Sequence, residues 1–136
     1  MRFLLDTNVW IQFLKNPKSR LGQAIDDHKS SDLATCSIVR AELLHGAKKY
    51  GNARTRTELI RSTLSPFTSL PFDDNAADFY ATIRHDLQTR GLVIGPSDLQ
   101  IAAICLANDL TLITSNVGEF SRVANLRIED WTTSTL

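Results

Sequence analysis

The sequence predicts an α/β fold in which helices cover both faces of a central parallel sheet. Two observations predict it. Short, continuous apolar runs alternate with segments whose apolar residues recur at helical spacing, an order typical of parallel strands joined by right-handed crossovers. The strand-like runs are apolar at successive positions, as strands covered on both faces must be. A chain of 136 residues can bury a proper core as one domain, and we expect one domain over 1–136.

The first third of the chain contains two predicted strands. The run 2–5 is the first strand because its residues 3–5 are continuously apolar, and Asn16-Pro17 stops the helix that follows it. Ser19 is a good N-cap for a short second helix. Residues 32–36 form the next strand, since an apolar run follows a polar turn there. The residues expected to bound the third helix are Ser37 as its N-cap and Gly46 or Gly51 at its end.

The middle of the chain adds two helices and a short strand. The segment 53–64 has helical spacing, and Ser65-Pro66 breaks it before a strand at 68–72. Asp74 then begins a long helix that Gly91 ends. The apolar residues expected on its buried side are Phe79, Ile83 and Leu87.

The last third contains the most apolar segment. After the break at Gly95-Pro96, residues 99–107 are apolar nearly all round, which predicts a helix covered on both sides. Strands at 110–114 and 126–131 complete the expected sheet. We expect 132–136 to be a frayed polar tail.

Composition and charge exclude several classes of protein. The formal net charge is +0, so any polyanionic partner would have to be held by a local patch. The two cysteines, Cys36 and Cys105, lie in apolar segments without metal-site spacing and are expected to be buried thiols in a reducing compartment. No stretch approaches the ~20 apolar residues of a membrane span, and no secretory signal is visible. We therefore expect a cytoplasmic protein.

Asp6 ends the first strand, and this places a carboxylate where open α/β sheets bind their ligands. An acid between a strand and a helix is also an ordinary N-cap. Which role applies depends on whether other acids converge on it.

Glu42 follows Ser37 by five residues and lies among apolar neighbours in the opening turns of the third predicted helix. It either complements the helix dipole or faces a cleft as a ligand. With His45 it makes the Glu-x-x-His spacing of di-iron bundles, but such sites need a second copy, which this chain lacks. We therefore do not expect His45 to bind metal.

Asp98 begins the buried helix and is expected either to cap its first turn together with Ser97 or to bind a cation. An inward-facing carboxylate at this place would be costly unless it were paired, and this cost favours a metal. Asn116 and Glu119 supply further oxygen donors directly after the strand at 110–114, although each alone is also typical of a solvated turn.

Together these five residues fall at strand ends or helix starts on the same edge of the predicted sheet: Asp6, Glu42, Asp98, Asn116 and Glu119. Several hard oxygen ligands without paired histidines or cysteines suit Mg²⁺ or Mn²⁺. Such an ion can activate water and stabilise charge on a phosphoryl group.

The order and spacing of these motifs resemble the PIN-domain ribonucleases and, within them, the VapC toxins of type II toxin–antitoxin systems. The blocks that carry the resemblance are residues 4–8, 41–46, 94–103, 112–116, 119–123 and 127–131. The resemblance implies a three-layer α/β/α PIN-like fold. Many PIN domains have an acid where this chain has Asn116, so whether Asn116 or Glu119 completes the site stays open.

The resemblance also implies an activity and partners. An endoribonuclease would use Asp6, Glu42 and Asp98 as a Mg²⁺-binding centre, with Mn²⁺ as a possible substitute. A cognate VapB-like antitoxin would inhibit it, its substrate would be structured RNA such as tRNA, and it would act as a homodimer.

Two sets of basic residues are compatible with RNA. Residues 48–61 contain five basic residues against one acid, Glu58, and either bind phosphate or form a solvated helix face. Three arginines near the acidic motifs either offset phosphate charge or form surface ion pairs: Arg84, Arg90 and Arg122. Trp10 and Phe13 are expected in the core or in a protein contact.

Two other functions stay open. The first is a catalytically weak RNA-binding module on the same fold, whose site has decayed at Asn116. The second is a phospho-acceptor receiver domain, which would need a lysine where this chain has Thr114-Ser115-Asn116.

Overall fold

The protein, described over residues 1–133 by a computed structural model, has a five-stranded parallel sheet with the strand order β3-β2-β1-β4-β5. This confirms the predicted fold class. The strands are β1 (Phe3–Leu5), β2 (Leu33–Cys36), β3 (Thr68–Leu70), β4 (Thr111–Ile113) and β5 (Ile128–Glu129). The helices are α1 (Thr7–Lys15), α2 (Arg20–Asp27), α3 (Ser37–Ala47), α4 (Ala53–Leu64), α5 (Asp74–Thr89), α6 (Pro96–Ala107) and α7 (Val117–Phe120). Most of the predicted frayed tail, residues 134–136, lies outside the described residues.

The first strand is the centre of the sheet. Leu4 pairs with Ala34 of β2 on one side and with Leu112 of β4 on the other. The chain builds the sheet outward from β1 through β2 and β3, and then returns to the opposite side of β1 for β4 and β5. Because all strands are parallel, the segments that follow β1, β2 and β4 emerge at one edge, which we call the carboxyl edge.

The core lies around this central strand. All three residues of β1 are buried, and residues 101–105 of α6 are also buried. The long helix α5 packs along α6 on its outer side. The prediction of an all-round buried helix is therefore confirmed. No helix among residues 1–133 is both long and apolar enough to cross a membrane.

Local differences from the sequence predictions have simple causes. Ser37 does not cap α3: it is the first helical residue, and its hydroxyl accepts a hydrogen bond from the Phe72 amide at 3.3 Å. Phe79 is 38% exposed, because the buried stripe of α5 runs through Ala76, Ile83 and Leu87, and Phe79 lies to one side of it.

Both outer strands are shorter than predicted. The third strand ends at Leu70, before Pro71, whose nitrogen has no proton to donate to a ladder. The last strand is confined to Ile128–Glu129 at the sheet edge.

Candidate active site

Asp6 is the N-cap of α1 and also lies at the carboxyl edge, beside an acid from another segment. Its Oδ1 accepts a hydrogen bond from the Val9 amide at 2.9 Å, which caps α1. Its Oδ2 accepts a hydrogen bond from the Thr114 hydroxyl at 2.5 Å, at the end of the neighbouring strand β4. Burial raises the pKa of Asp6, the two hydrogen bonds oppose this, and the nearby Glu42 carboxylate adds to the rise.

Glu42 lies in the middle of α3, rather than in its opening turns. The positive end of a helix dipole acts over the first turn only, so the dipole interpretation does not apply. The Glu42 Oε1 accepts a hydrogen bond from the Thr7 hydroxyl at 2.6 Å, and this bond turns the carboxylate toward the start of α1 beside Asp6. His45, one turn further along, is exposed.

Asp98 is the third residue of α6 and does not cap it. The N-cap position is Gly95, and the first turn has no side-chain capping bond. Burial raises the pKa of Asp98 to about 6, and the carboxylates of Glu119, Asp6 and Glu42 contribute to the rise in that order. A hydrogen bond between Asp98 and Glu119 acts in the same direction. Acids from four separate segments therefore share one electrostatic environment.

Asn116 and Glu119 occupy the turn after β4 and the short helix α7. Glu119 uses both carboxylate oxygens: Oε1 accepts from the Gly95 amide at 2.8 Å, and Oε2 accepts from the Asn116 side-chain amide at 2.6 Å. A Cβ atom built on Gly95 would lie 3.8 Å from both Asp98 Oδ2 and Glu119 Oε1. Gly95 thus lies directly beside both acids.

Two hydroxyl residues belong to the site although they were not among the candidate residues. Thr114 donates to Asp6 and accepts a hydrogen bond from the Asn116 backbone amide at 2.9 Å. Thr7 donates to Glu42. The signal in the sequence was their position at the ends of β1 and β4, close to the candidate residues Asp6 and Asn116. Hydroxyls are so common at such ends that the signal is weak.

The acids are near one another, but they do not form a complete set of ligands around one point. Within residues 1–133, no three acidic, histidine or cysteine side chains lie close enough together to hold one ion. The donors nevertheless fit a hard cation in kind, since all are oxygens. They also fit in charge: burial raises the pKa of Asp98 most, the neighbouring carboxylates add to the rise, and a bound cation would stabilise the charged carboxylate against both effects.

A groove of about 600 Å³ opens beside Glu42 between α1, α3 and α4. Its floor is apolar and includes Ile11, Leu43 and Ile60, and its rim carries Lys15, Lys49 and Arg56. The Arg56 guanidinium lies 4.0 Å from the centre of the Tyr50 ring. Part of the basic segment 48–61 therefore lines the same groove as Glu42, and the residues that contribute are Lys49 and Arg56.

The arginines near the acidic motifs contact protein groups. Arg90 pairs with Asp86 at 2.6 Å, and its Nη2 also donates to the Arg122 carbonyl at 2.6 Å. Arg122 Nη1 donates to the Val93 carbonyl at 2.6 Å. Arg84 donates to the Tyr80 hydroxyl at 3.2 Å. Trp10 is fully buried, as expected of a core residue.

Comparisons with known proteins agree with this geometry. The PIN domain family model matches residues 3–126. Ribonuclease VapC2 of Rickettsia felis is 33% identical over 96% of this chain and 98% of its own length. The tRNA(fMet)-specific endonuclease VapC of Salmonella typhimurium is 31% identical over 96% of this chain and 98% of its own length.

Solved structures give the same result. The DNA-bound VapBC of Salmonella typhimurium superposes with a TM-score of 0.92 at 31% identity, covering 96% of this chain and 98% of the matched one. The VapBC2 of Rickettsia felis, bound to a promoter DNA fragment, has a TM-score of 0.89 at 29% identity, with coverage of 96% and 99%. The chain belongs to the PIN-domain family and, within it, to the VapC ribonucleases.

Proposed function

We propose that this chain is a divalent-metal-dependent endoribonuclease that acts as the toxin of a type II toxin–antitoxin pair in the cytoplasm. The observation that carries the proposal is the convergence of Asp6, Glu42, Asp98 and Glu119 in one electrostatic environment at the carboxyl edge. Grouped carboxylates destabilise one another in the absence of a cation, so they are typical of a site whose function requires one. Membership in the VapC ribonucleases supports RNA as the substrate.

The metal site would be formed by the acids of the carboxyl edge. Asp6, Glu42 and Asp98 would hold Mg²⁺, with Mn²⁺ as a substitute, and Asn116 or Glu119 would complete the site. When bound, such an ion lowers the pKa of a coordinated water and neutralises charge on the phosphate. The chain's own part would be positional: through the hydrogen bonds they donate, Thr114 would hold Asp6 and Thr7 would hold Glu42 for binding the metal or the attacking water.

The substrate we propose is structured RNA such as tRNA. The support comes from the tRNA(fMet)-specific name of the Salmonella relative and from the position of Lys49 and Arg56 on the groove beside Glu42. A chain without net charge needs such local cations to hold phosphate.

The partners we propose are a VapB-like antitoxin and a second copy of this chain. The related solved structures include VapBC complexes from three bacteria. The apolar floor and basic rim of the groove beside Glu42 suit an amphipathic antitoxin segment with acidic residues. A segment bound there would cover the entrance to the acids and thereby inhibit the enzyme.

The proposal is tested by RNA cleavage with purified wild type, Asp6→Asn, Asp98→Asn and the control Asp109→Asn. Asp109 is an exposed acid that pairs with Arg127, outside the site. We expect cleavage with Mg²⁺, none with EDTA, restoration by added Mg²⁺ or Mn²⁺, and a loss of at least about 100-fold in the two site variants only. Mapping the new 5′ ends after induction in cells identifies the RNA.

Two outcomes would reject this function. Cleavage by the site variants at the wild-type rate would exclude the metal-acid mechanism. RNA binding without metal-dependent turnover in any variant would favour the catalytically weak binding module instead.

A further inference from the structure

We propose that Glu119 and Arg122 form a clamp that positions Asp98 by holding the loop in front of α6. This inference rests on the proposed function, since it assigns a positioning role within the same site. We call the two side chains and their contacts to residues 93–95 the α7 clamp. Arg122 is thus a positioning residue that acts through the backbone and touches neither metal nor substrate.

The clamp consists of two hydrogen bonds that join the α7 region to one short loop. Glu119 Oε1 accepts from the Gly95 amide at 2.8 Å, and Arg122 Nη1 donates to the Val93 carbonyl at 2.6 Å. Arg122 lies in the turn that follows α7, and its amide donates to the Glu119 carbonyl at 3.2 Å, so this turn keeps the two residues close together. The two bonds therefore hold two consecutive peptide groups of the loop, 93–94 and 94–95.

The base of the clamp is fixed in the core. Phe120 and Val123, which lie beside the two clamp residues in sequence, are buried. The Arg122 carbonyl accepts a hydrogen bond from Arg90 at the end of α5, and Arg90 is held in turn by Asp86. The α7 region is thereby anchored to both the core and the helix that leads into the loop.

The loop itself has little packing to define its course. Val93 is 78% exposed, and Ile94 is the buried side chain between the two clamped residues. Polar contacts must therefore supply much of the restraint. The Arg122 guanidinium donates to a loop carbonyl. This contact favours a structural role for Arg122 over a role in binding phosphate.

The clamped residue Gly95 is directly coupled to Asp98. Gly95 is the N-cap of α6, and its carbonyl accepts the first helical hydrogen bond, from the Leu99 amide at 2.9 Å. Asp98 belongs to this same turn. A shift of Gly95 would therefore move the first turn of α6 and displace the Asp98 carboxylate relative to Asp6 and Glu42.

The test compares Arg122→Met and Arg122→Lys with the control Arg127→Met. Arg127 is also exposed and bonded to a backbone carbonyl, that of Asp109, but at the opposite edge of the sheet. Three quantities are measured: Mn²⁺ affinity by calorimetry, hydrogen exchange of the Gly95 amide, and kcat and KM for RNA cleavage. The first two do not depend on catalysis.

We expect Arg122→Met to weaken Mn²⁺ binding about tenfold, the usual size for loss of a group that orients a metal ligand. It should also accelerate Gly95 exchange and lower kcat with little change in KM. Arg122→Lys keeps one donor for the Val93 carbonyl and should recover much of the affinity, while Arg127→Met should match wild type in all three measurements.

A raised KM and a weaker salt dependence of RNA binding, with Mn²⁺ affinity unchanged, would overturn the proposal and make Arg122 a phosphate contact. Unchanged values throughout would also overturn it. The Asp98→Asn variant distinguishes a failure of the proposed clamp from a failure of the proposed metal site. If it lowers Mn²⁺ affinity and Arg122→Met does not, only the clamp is wrong; if Asp98→Asn has no effect either, the proposed metal site itself is wrong.

Discussion

At the scale of single residues, the site depends on side chains that connect one strand end to the next. Thr114 is fully buried, and its hydroxyl both donates to Asp6 and accepts from the Asn116 amide. Thr35, in β2, is buried to a similar extent, yet within residues 1–133 its hydroxyl has no hydrogen-bond partner. The chain thus offers two buried threonines with opposite hydrogen-bonding states.

Replacement of each threonine by valine should give opposite results. Thr114→Val removes the hydroxyl that bonds both Asp6 Oδ2 and the Asn116 backbone amide. This loss should lower the free energy of unfolding by about 1–3 kcal/mol. Thr35→Val removes an unpaired buried hydroxyl at nearly constant volume and should be neutral or stabilising. Urea unfolding of both variants in EDTA measures the difference. Equal effects would show that the Thr114 bonds add nothing to stability.

The pKa of Asp98 predicts how the metal-free protein responds to pH. The ordinary value is 3.8 and the folded value is about 6, mainly because of burial, so the folded state binds the proton more tightly than the unfolded state. The contribution of Asp98 to stability is therefore fully present below about pH 4 and is lost as the pH rises through 6. Thermal unfolding in EDTA between pH 4.5 and 7.5 should show this decline.

Asp98→Asn provides the control for that pH dependence. The amide does not titrate, so the part of the decline that belongs to Asp98 should disappear in the variant. Added Mg²⁺ should also reduce the decline in wild type, because a bound cation favours the charged carboxylate. Parallel pH curves for wild type and variant would assign the decline to other groups.

Among the helices and strands, sequence patterns identified those that can be recognised from their own run of residues. The continuous apolar run of β1 and the apolar surface of α6 are sufficient to predict a buried strand and a buried helix. The helix α7 was missed because Val117–Phe120 contains only four residues and its sequence is typical of a turn. The contacts made by α7 and by the turn after it reach residues 24 and 29 positions away, a distance over which no local pattern operates.

Local patterns also located the candidate site residues, but not the contacts that define their roles. Four of the five candidates could be found as polar side chains at the boundary of a predicted element, and Glu42 could be found as an acid among apolar neighbours. Their separate roles could not, since Glu119 is defined by Gly95 and Asn116, and Asp6 by Thr114. Such pairings follow from strand order, and the apolar runs alone do not determine that β4 lies beside β1.

Two helical glycines allow an element-scale test. A Cβ on Gly22, near the start of α2, would lie 1.8 Å from the Pro17 carbonyl oxygen, whereas a Cβ on Gly46, in α3, would have no atom within 4 Å. Gly22→Ala forces α2 away from the preceding turn and should cost about 1–3 kcal/mol. Gly46→Ala should add up to about 1 kcal/mol by reducing the freedom of the unfolded chain.

Denaturant unfolding of these two alanine variants measures both changes against wild type. A stable Gly22→Ala variant would mean that the turn at Pro17 moves freely and does not fix α2. Destabilisation by Gly46→Ala would point to a contact at that face of α3.

At the scale of the whole molecule, parallel strands bring distant acids together while the net charge remains zero. The segments after β1, β2 and β4 meet at the carboxyl edge, and the start of α6 lies beside them, so acids at positions 6, 42, 98 and 119 become neighbours. That the whole chain is one domain stays our proposal, supported by the continuous core around β1. One cooperative unfolding transition, identical by fluorescence and circular dichroism, would agree with it.

The distribution of basic residues also predicts how RNA binding depends on salt. Lys49 lines the groove beside Glu42, whereas Lys29 precedes the turn that leads into β2 and so lies at the opposite edge of the sheet. If phosphates are held near the acids, Lys49→Gln should weaken binding of all RNA sequences alike and reduce the slope of log affinity against log salt by about one. Lys29→Gln should change neither. Titrations of labelled RNA in EDTA at several salt concentrations measure binding without cleavage. Since each variant loses one positive charge, an equal effect of both would mean that total charge governs binding, while a reduced slope in Lys49→Gln alone would place the phosphates at the groove.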